Sequence, residues 1–229
     1  MTAARLHFAD AGEAADLAAF LARLIHYDKA AAVRLQAAGE TLGVFGRPPS
    51  FEVLAIRTAR LAKPYEHGLD TLLDVTVSAG ELLESVGESA ESVETAGTAV
   101  VPDAVTGPPW AGVLPPRGGW RQAAGLPSAD DVRALVRGAV VEFRRRVEEL
   151  APELRVRGEL DRIGREIWSR SITGTGLPVR AAHAAQSLGF LRGDRLALLE
   201  SGAWLRLRTP YGSVALRRAG VGALSVTPA

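Results

Sequence analysis

Apolar and polar positions alternate at residues 4–8, Ala-Arg-Leu-His-Phe, and predict a short strand with Leu6 and Phe8 inward. Asp10, with Glu13 three positions on, is the pattern of a helix start. Leu17, Phe20, Leu21, Leu24 and Ile25 then recur at helical spacing and carry that helix to about Tyr27. Strand-like alternation returns at Val33–Gln36 and at Leu42–Val44, with a turn at Ala38-Gly39-Glu40 between them. A break at Gly46-Arg47-Pro48-Pro49 precedes a longer strand over 51–61. Pro64 and Gly68 mark a loop, residues 74–77 read as a strand, and Ser78 caps a short helix over 79–86.

Residues 87–107 are acidic, small and aperiodic, the pattern of a flexible linker. Residues 108–120 contain four prolines and two tryptophans, which excludes a helix or a central strand. Trp110 and Trp120 are expected to pin this segment to the body. Ser128 with Asp131 starts a helix whose stripe is Val132, Leu135, Val136, Ala139, Phe143, Val147 and Leu150. After Pro152 a second helix carries Val156, Leu160, Ile163 and Ile167, with Asp161–Arg165, Arg162–Glu166 and Glu166–Arg170 as i,i+4 pairs. A Gly/Thr loop at 173–176, a helix at about 178–190 and strands at 195–199, 203–208 and 213–218 follow.

The end of the chain echoes its beginning. Gly39-Glu-Thr-Leu-Gly-Val-Phe-Gly-Arg-Pro48 sits over Gly202-Ala-Trp-Leu-Arg-Leu-Arg-Thr-Pro210, and Leu54-Ala-Ile-Arg57 over Val214-Ala-Leu-Arg217. An Ala-rich helix precedes three strands in both. The expected fold is α+β: two small antiparallel sheets in βαβββ-like units, at about 4–62 and 170–220, plus a helical hairpin. The expected divisions are an acidic unit over 1–86, a flexible linker and Pro/Trp segment over 87–125, and a basic unit over 126–229.

The N-terminal order, with Asp74-Val-Thr-Val-Ser-Ala-Gly-Glu-Leu-Leu-Glu84 after it, resembles the building unit of DNA sliding clamps. Clamp helices that meet DNA are basic, whereas helix 11–27 carries Glu13 and Asp16 against Arg23. The resemblance therefore implies a fold without the clamp's function. Two segments, Trp110-Ala-Gly-Val-Leu-Pro-Pro-Arg-Gly-Gly-Trp120 and Gly202-Ala-Trp-Leu-Arg-Leu-Arg-Thr-Pro-Tyr-Gly-Ser213, are similar to stretches of an uncharacterised actinobacterial protein family. That family implies no activity.

Composition adds exclusions. At 229 residues, 47% hydrophobic and 23% charged, the chain is long enough for a sizeable core and is neither disordered nor fibrous. It has no Cys, which removes disulfides, thiolate metal sites and cysteine nucleophiles. No apolar run reaches the ~18 residues of a membrane span. The N-terminus lacks a secretory pattern, so a soluble cytoplasmic protein is expected.

The net charge of +1 conceals an asymmetry. Residues 1–115 hold 8 Lys/Arg and 15 Asp/Glu (8 − 15 = −7), and residues 116–229 hold 19 Arg and 11 Asp/Glu (19 − 11 = +8). The halves are expected to attract one another within or between chains, and a dimer is the favoured assembly.

Candidate chemistry is sparse. The four His (His7, His26, His67 and His183) lie far apart, without metal-ligand spacing, so neither a metal nor a cofactor is expected. Tyr65-Glu66-His67 with Asp70 is one local titratable cluster, and Gly174-Thr175-Gly176 before a helix is one place where backbone N–H groups could cradle a phosphate. Arg206, Arg208, Arg217 and Arg218, with Trp204 and Tyr211, form the most suggestive constellation. In a hairpin, Arg206 and Arg208 share one face, where arginines beside aromatics can contact an anion or nucleic acid. The competing reading is the solvent face of a sheet whose core is Leu205, Leu207, Val214 and Leu216. The leading functional expectation is a non-catalytic interaction or scaffold protein with a protein partner or a second copy. A nucleic-acid-binding protein is the alternative, and an enzyme with an unrecognised site the third.

Overall fold

The computed structural model describes residues 4–62, 73–91 and 97–218. The Tyr65, Glu66, His67 and Asp70 cluster lies outside them. The chain forms β1 (Arg5–His7), α1 (Ala11–Tyr27), β2 (Ala32–Ala38), β3 (Thr41–Gly46), β4 (Leu54–Arg60), β5 (Leu73–Ser78), α2 (Ala79–Glu91) and β6 (Thr98–Val100). These are followed by β7 (Arg121–Ala123), α3 (Ala129–Glu148), α4 (Arg157–Trp168), α5 (Val179–Ser187), β8 (Ala197–Ser201), β9 (Trp204–Thr209) and β10 (Gly212–Arg217).

The fold is α+β with two antiparallel sheets. One is the small β1–β6 pair, and the other has eight strands in the order β5-β2-β3-β4-β10-β9-β8-β7. The strands of the two expected units therefore share one sheet, joined where β10 lies against β4 with Val214 opposite Ala55. β1, expected among the strands that follow α1, pairs instead with β6, placing Leu6 opposite Ala99.

Local signals explain the elements. Asp10 accepts a hydrogen bond from Glu13 N at 3.0 Å and starts α1. Ser128 does the same for Asp131 N at 3.2 Å at the start of α3. The proline break after β3 is longer than its prolines suggest: Ser50 and Glu52 adopt φ of 68° and 53°, and β4 begins only at Leu54.

Within 87–107, read as a linker, α2 continues to Glu91 and residues 98–100 form β6. Val100 N donates to Ser85 Oγ at 2.7 Å, and that hydroxyl donates back to Val100 O at 3.0 Å. A three-residue strand has too few positions to leave a periodic signal.

One face of the large sheet is the core face. Val33, Leu35, Leu42, Val44, Leu205, Leu207 and Val214 are buried there, under a helical layer that supplies Leu17, Phe20, Leu21 and Leu24 from α1 and Leu82 from α2. Phe20 and Phe190 stack at 5.6 Å across the junction of the halves. The α3–α4 hairpin packs outside α5, with Val132 and Val136 buried. Its far end is held by paired charges: Arg146 grips Glu166 through two bonds of 2.8 Å, and Arg170 grips Glu142 at 2.6 and 2.8 Å. Val141, Leu154 and Val156 remain exposed: Leu154 ends a short 3-10 turn between the helices, and Val156, expected in the second helix's apolar stripe, is instead the residue that precedes α4.

Among the described residues, few ion pairs link the halves. Arg180–Glu52 at 3.6 Å and Arg192–Asp16 at 3.5 Å cross between them, and most other paired arginines find acids within their own half. Among the described residues no helix is long and apolar enough to cross a membrane.

A candidate anion-binding face

The opposite face of the sheet carries Arg34, Asp74, Arg206, Arg208 and Arg217. Alternation along β9 sends Leu205 and Leu207 into the core, 1% and 0% exposed, and turns Trp204, Arg206 and Arg208 outward. In the β9–β10 ladder Arg217 stands opposite Trp204 and Ser213 opposite Arg208, so these share the outer face. On β4, Leu54, Ile56 and Thr58 point the same way.

A strap crosses this face. It leaves the β5 edge, where Val105 N donates to Thr76 O at 2.9 Å, and makes a 3-10 turn at Pro109–Gly112. Arg34 donates to Ala111 O there while pairing with Asp74 through bonds of 2.7 and 2.9 Å. That guanidinium holds the Asp74 carboxyl below its usual range. Further along, Trp120 Nε1 donates to Pro116 O at 2.9 Å, and the chain then enters β7 beside β8. Both tryptophans of the segment are half-buried, as pinning requires.

Clefts open along the strap, two of them rich in arginine. One, of about 570 Å³, is lined by Thr58, Trp120, Arg195, Arg206, Arg208 and Ser213. The other, of about 450 Å³, gathers Arg47, Arg180 and Arg217 with Trp110 and Trp204. The structure thus brings Arg206 and Arg208 together in one cleft and puts Trp204 and Arg217 in the other. Arg218 pairs with Glu200. Tyr211 is carried by the tight turn to another part of the surface, where Arg192 sits 4.5 Å from its ring centroid. That turn needs Gly212, whose φ is 151° and where a Cβ would stand 2.6 Å from the Phe190 ring.

Arg206 is the unusual member. Its Nε donates to Ser213 Oγ at 2.8 Å, and its guanidinium lies 5.7 Å from the Trp120 ring centroid. Among the described residues it has no carboxylate within ion-pair distance. Burial first, and Arg208's charge second, lower its pKa from the ordinary guanidinium value.

Sequence reading identified Arg206 and Arg208 but missed Arg195, Ser213, Arg47 and Arg180. Nothing in the local pattern distinguishes these from other polar residues, because the strap and the β4–β10 seam bring them in. No group of three or more His, Asp or Glu that could hold a metal occurs among the described residues.

The chain is thus an α+β protein of two strand-and-helix halves sharing one sheet, with a strapped, arginine-lined face. Residues 1–112 match the model of a domain of unknown function, DUF8010, and residues 115–221 match that of a second, DUF8185. The junction between the two matches falls within the strap. No curated protein matches the chain.

Proposed function

We propose that this is a non-catalytic cytoplasmic interaction protein, whose working surface is the strapped face and whose partner presents acidic groups to it. The observation that carries this reading is the contrast among its arginines. Half-buried Arg34, Arg133 and Arg146 each hold a carboxylate at 2.7–2.8 Å, whereas Arg206 faces its cleft with a serine and a like-charged neighbour. Desolvating a cation without a counter-ion is costly, so such a group is suited to an anion supplied from outside. The test is affinity capture with native protein and with the R206Q/R208Q and R217Q variants. A discrete partner retained by the native protein and lost by a variant supports the reading. The same partners on all three proteins, or a turnover activity, sinks it.

Nucleic acid is the second reading, favoured by the pairing of arginines with Trp120 in one cleft and with Trp110 and Trp204 in the other. Binding would then weaken with salt, and R206Q/R208Q would flatten the log–log slope by about 1.4–1.8, two contacts at ~0.7–0.9 each. Salt-independent binding, or none, removes it.

The proposal also takes the chain as a duplicated unit and its charge asymmetry as favouring a dimer. The strand order supports duplication, because it runs β5-β2-β3-β4 from one edge and β7-β8-β9-β10 from the other, with a helix before β2 and before β8. Leu42 and Val44 match Leu205 and Leu207 face for face. Arg57, however, points into the core and Arg217 outward, so the echo of Leu54–Arg57 in Val214–Arg217 is one residue out of step with the sheet. Light scattering at low and moderate salt tests the dimer; a monomer at both excludes it.

A further inference from the structure

We propose that the cleft formed by Arg206, Arg208, Arg195 and Ser213 beneath Trp120 is a binding site for a small phosphate-bearing ligand, up to the size of a mononucleotide. This goes beyond the docking reading, because a small ligand needs no macromolecular partner.

The argument begins with arrangement. Arg206 and Arg208 are two apart on one strand, so their side chains leave the same face as close neighbours of like charge. Arg195 enters the same cleft from just before β8. None of the three has a carboxylate within ion-pair distance among the described residues; Arg195 and Arg208 are exposed, whereas half-buried Arg206 contrasts with half-buried Arg34, Arg133, Arg146 and Arg180, which are paired. A dianion between them removes the mutual repulsion and restores what Arg206 gives up on leaving water.

Orientation comes next. The bond from Arg206 Nε to Ser213 Oγ uses one edge of the guanidinium and fixes its plane, and Ser213 is itself buried on β10 in the middle of the sheet. Both terminal nitrogens then remain for two parallel bonds to phosphate oxygens, the geometry in which arginine exceeds lysine. Thr58 adds a hydroxyl to the lining.

Size selects the ligand. At about 570 Å³ the cleft falls in the range of small-molecule sites, and the strap and Trp120 bound it on one side. The half-buried Trp120 ring adds a flat apolar wall beside the cations, which suits an organic phosphate better than the bare ion.

The test is calorimetric titration of the full chain with inorganic phosphate, AMP and adenosine at near-physiological salt. AMP is expected to bind, phosphate to bind more weakly, and adenosine to show no binding. R206Q is expected to weaken AMP by about tenfold or more, R206K to fall between it and the native protein, and R144Q, on the exposed side of α3, to leave binding unchanged. Should R206Q not fold, R208Q and R195Q decide, each expected to weaken AMP severalfold. Three results overturn the proposal: no AMP or phosphate binding tighter than about 1 mM, equal binding of adenosine and AMP, or unchanged AMP affinity in the folded arginine variants. Failure of the native protein to capture any discrete partner, with AMP binding intact, would count against the docking reading alone. Capture retained with no phosphate binding would do the reverse.

Discussion

Gly125 and Gly174 meet backbone to backbone, both in the left-handed region at φ of 88° and 79°. A Cβ on Gly174 would stand 3.1 Å from Gly125 O, and one on Gly125 would overlap the Gly174 carbonyl. Gly174, in the loop considered from sequence as a phosphate cradle, thus has a packing reason to be glycine.

Replacing Gly125 by Ala is expected to lower stability by about 1–3 kcal/mol, from the strained φ and the clash together. Gly138, mid-helix in α3 with open space around it, is the counter-case. Gly138→Ala should raise stability by up to ~1 kcal/mol through helix propensity. Urea denaturation midpoints of the two variants should move in opposite directions.

His183 gives a pH dependence. Its ring stacks on Trp168 at 4.5 Å and meets Phe51 edge-on at 5.2 Å, and burial lowers its pKa from 6.5. The unfolded chain takes up this proton first as pH falls, so His183's contribution is complete above about pH 6.5 and shrinks below it. The loss levels off once the folded pKa has been passed. Denaturation at pH 7.5 and 5.5 should show lower stability at 5.5, and His183→Phe should reduce the difference.

Glu166 behaves in the opposite sense. Its bonds to Arg146 hold its pKa at about 2, against an ordinary 4.5. Stability from this pair is present above about pH 4.5 and lost as pH falls toward 2. The side chain is 48% exposed, so the contribution is small and screened. Glu166→Gln should lower the melting temperature slightly at low salt and scarcely at high salt.

Arg57 is the buried counterpart, its side chain 8% exposed beside Asp16 at 3.0 Å and Glu13 at 3.4 Å. Removing both acids strands a cation whose Nε already lacks an acceptor. The E13Q/D16N double variant should cost about 3–5 kcal/mol, and Arg57→Met distinctly less. Equal losses in equilibrium unfolding would contradict this.

The helices and most strands were legible because each carried its own signal. Asp10 and Ser128 mark caps, and Leu205 and Leu207 alternate with Arg206 and Arg208. The joining of the halves was not legible. The edges of β4 and β10 look like any sheet edge, and nothing in Ala55 or Val214 says that they face each other. The cleft is hidden for the same reason: Thr58, Trp120, Arg195 and Ser213 come from four separate stretches and meet only once the strap lies over the closed seam.

The position of β10 bears on how the protein is made. It is the last described strand in the sequence, yet it occupies the middle of the large sheet beside β4. On the ribosome, β4 emerges about 150 residues ahead of its neighbour, an interval of roughly 8–30 s at 5–20 residues per second. Throughout that time its open edge can accept any passing strand, including one from a second nascent copy. The first half of the chain is therefore the part for which a chaperone matters most, and the strap comes to lie over a finished surface only after the final hairpin closes.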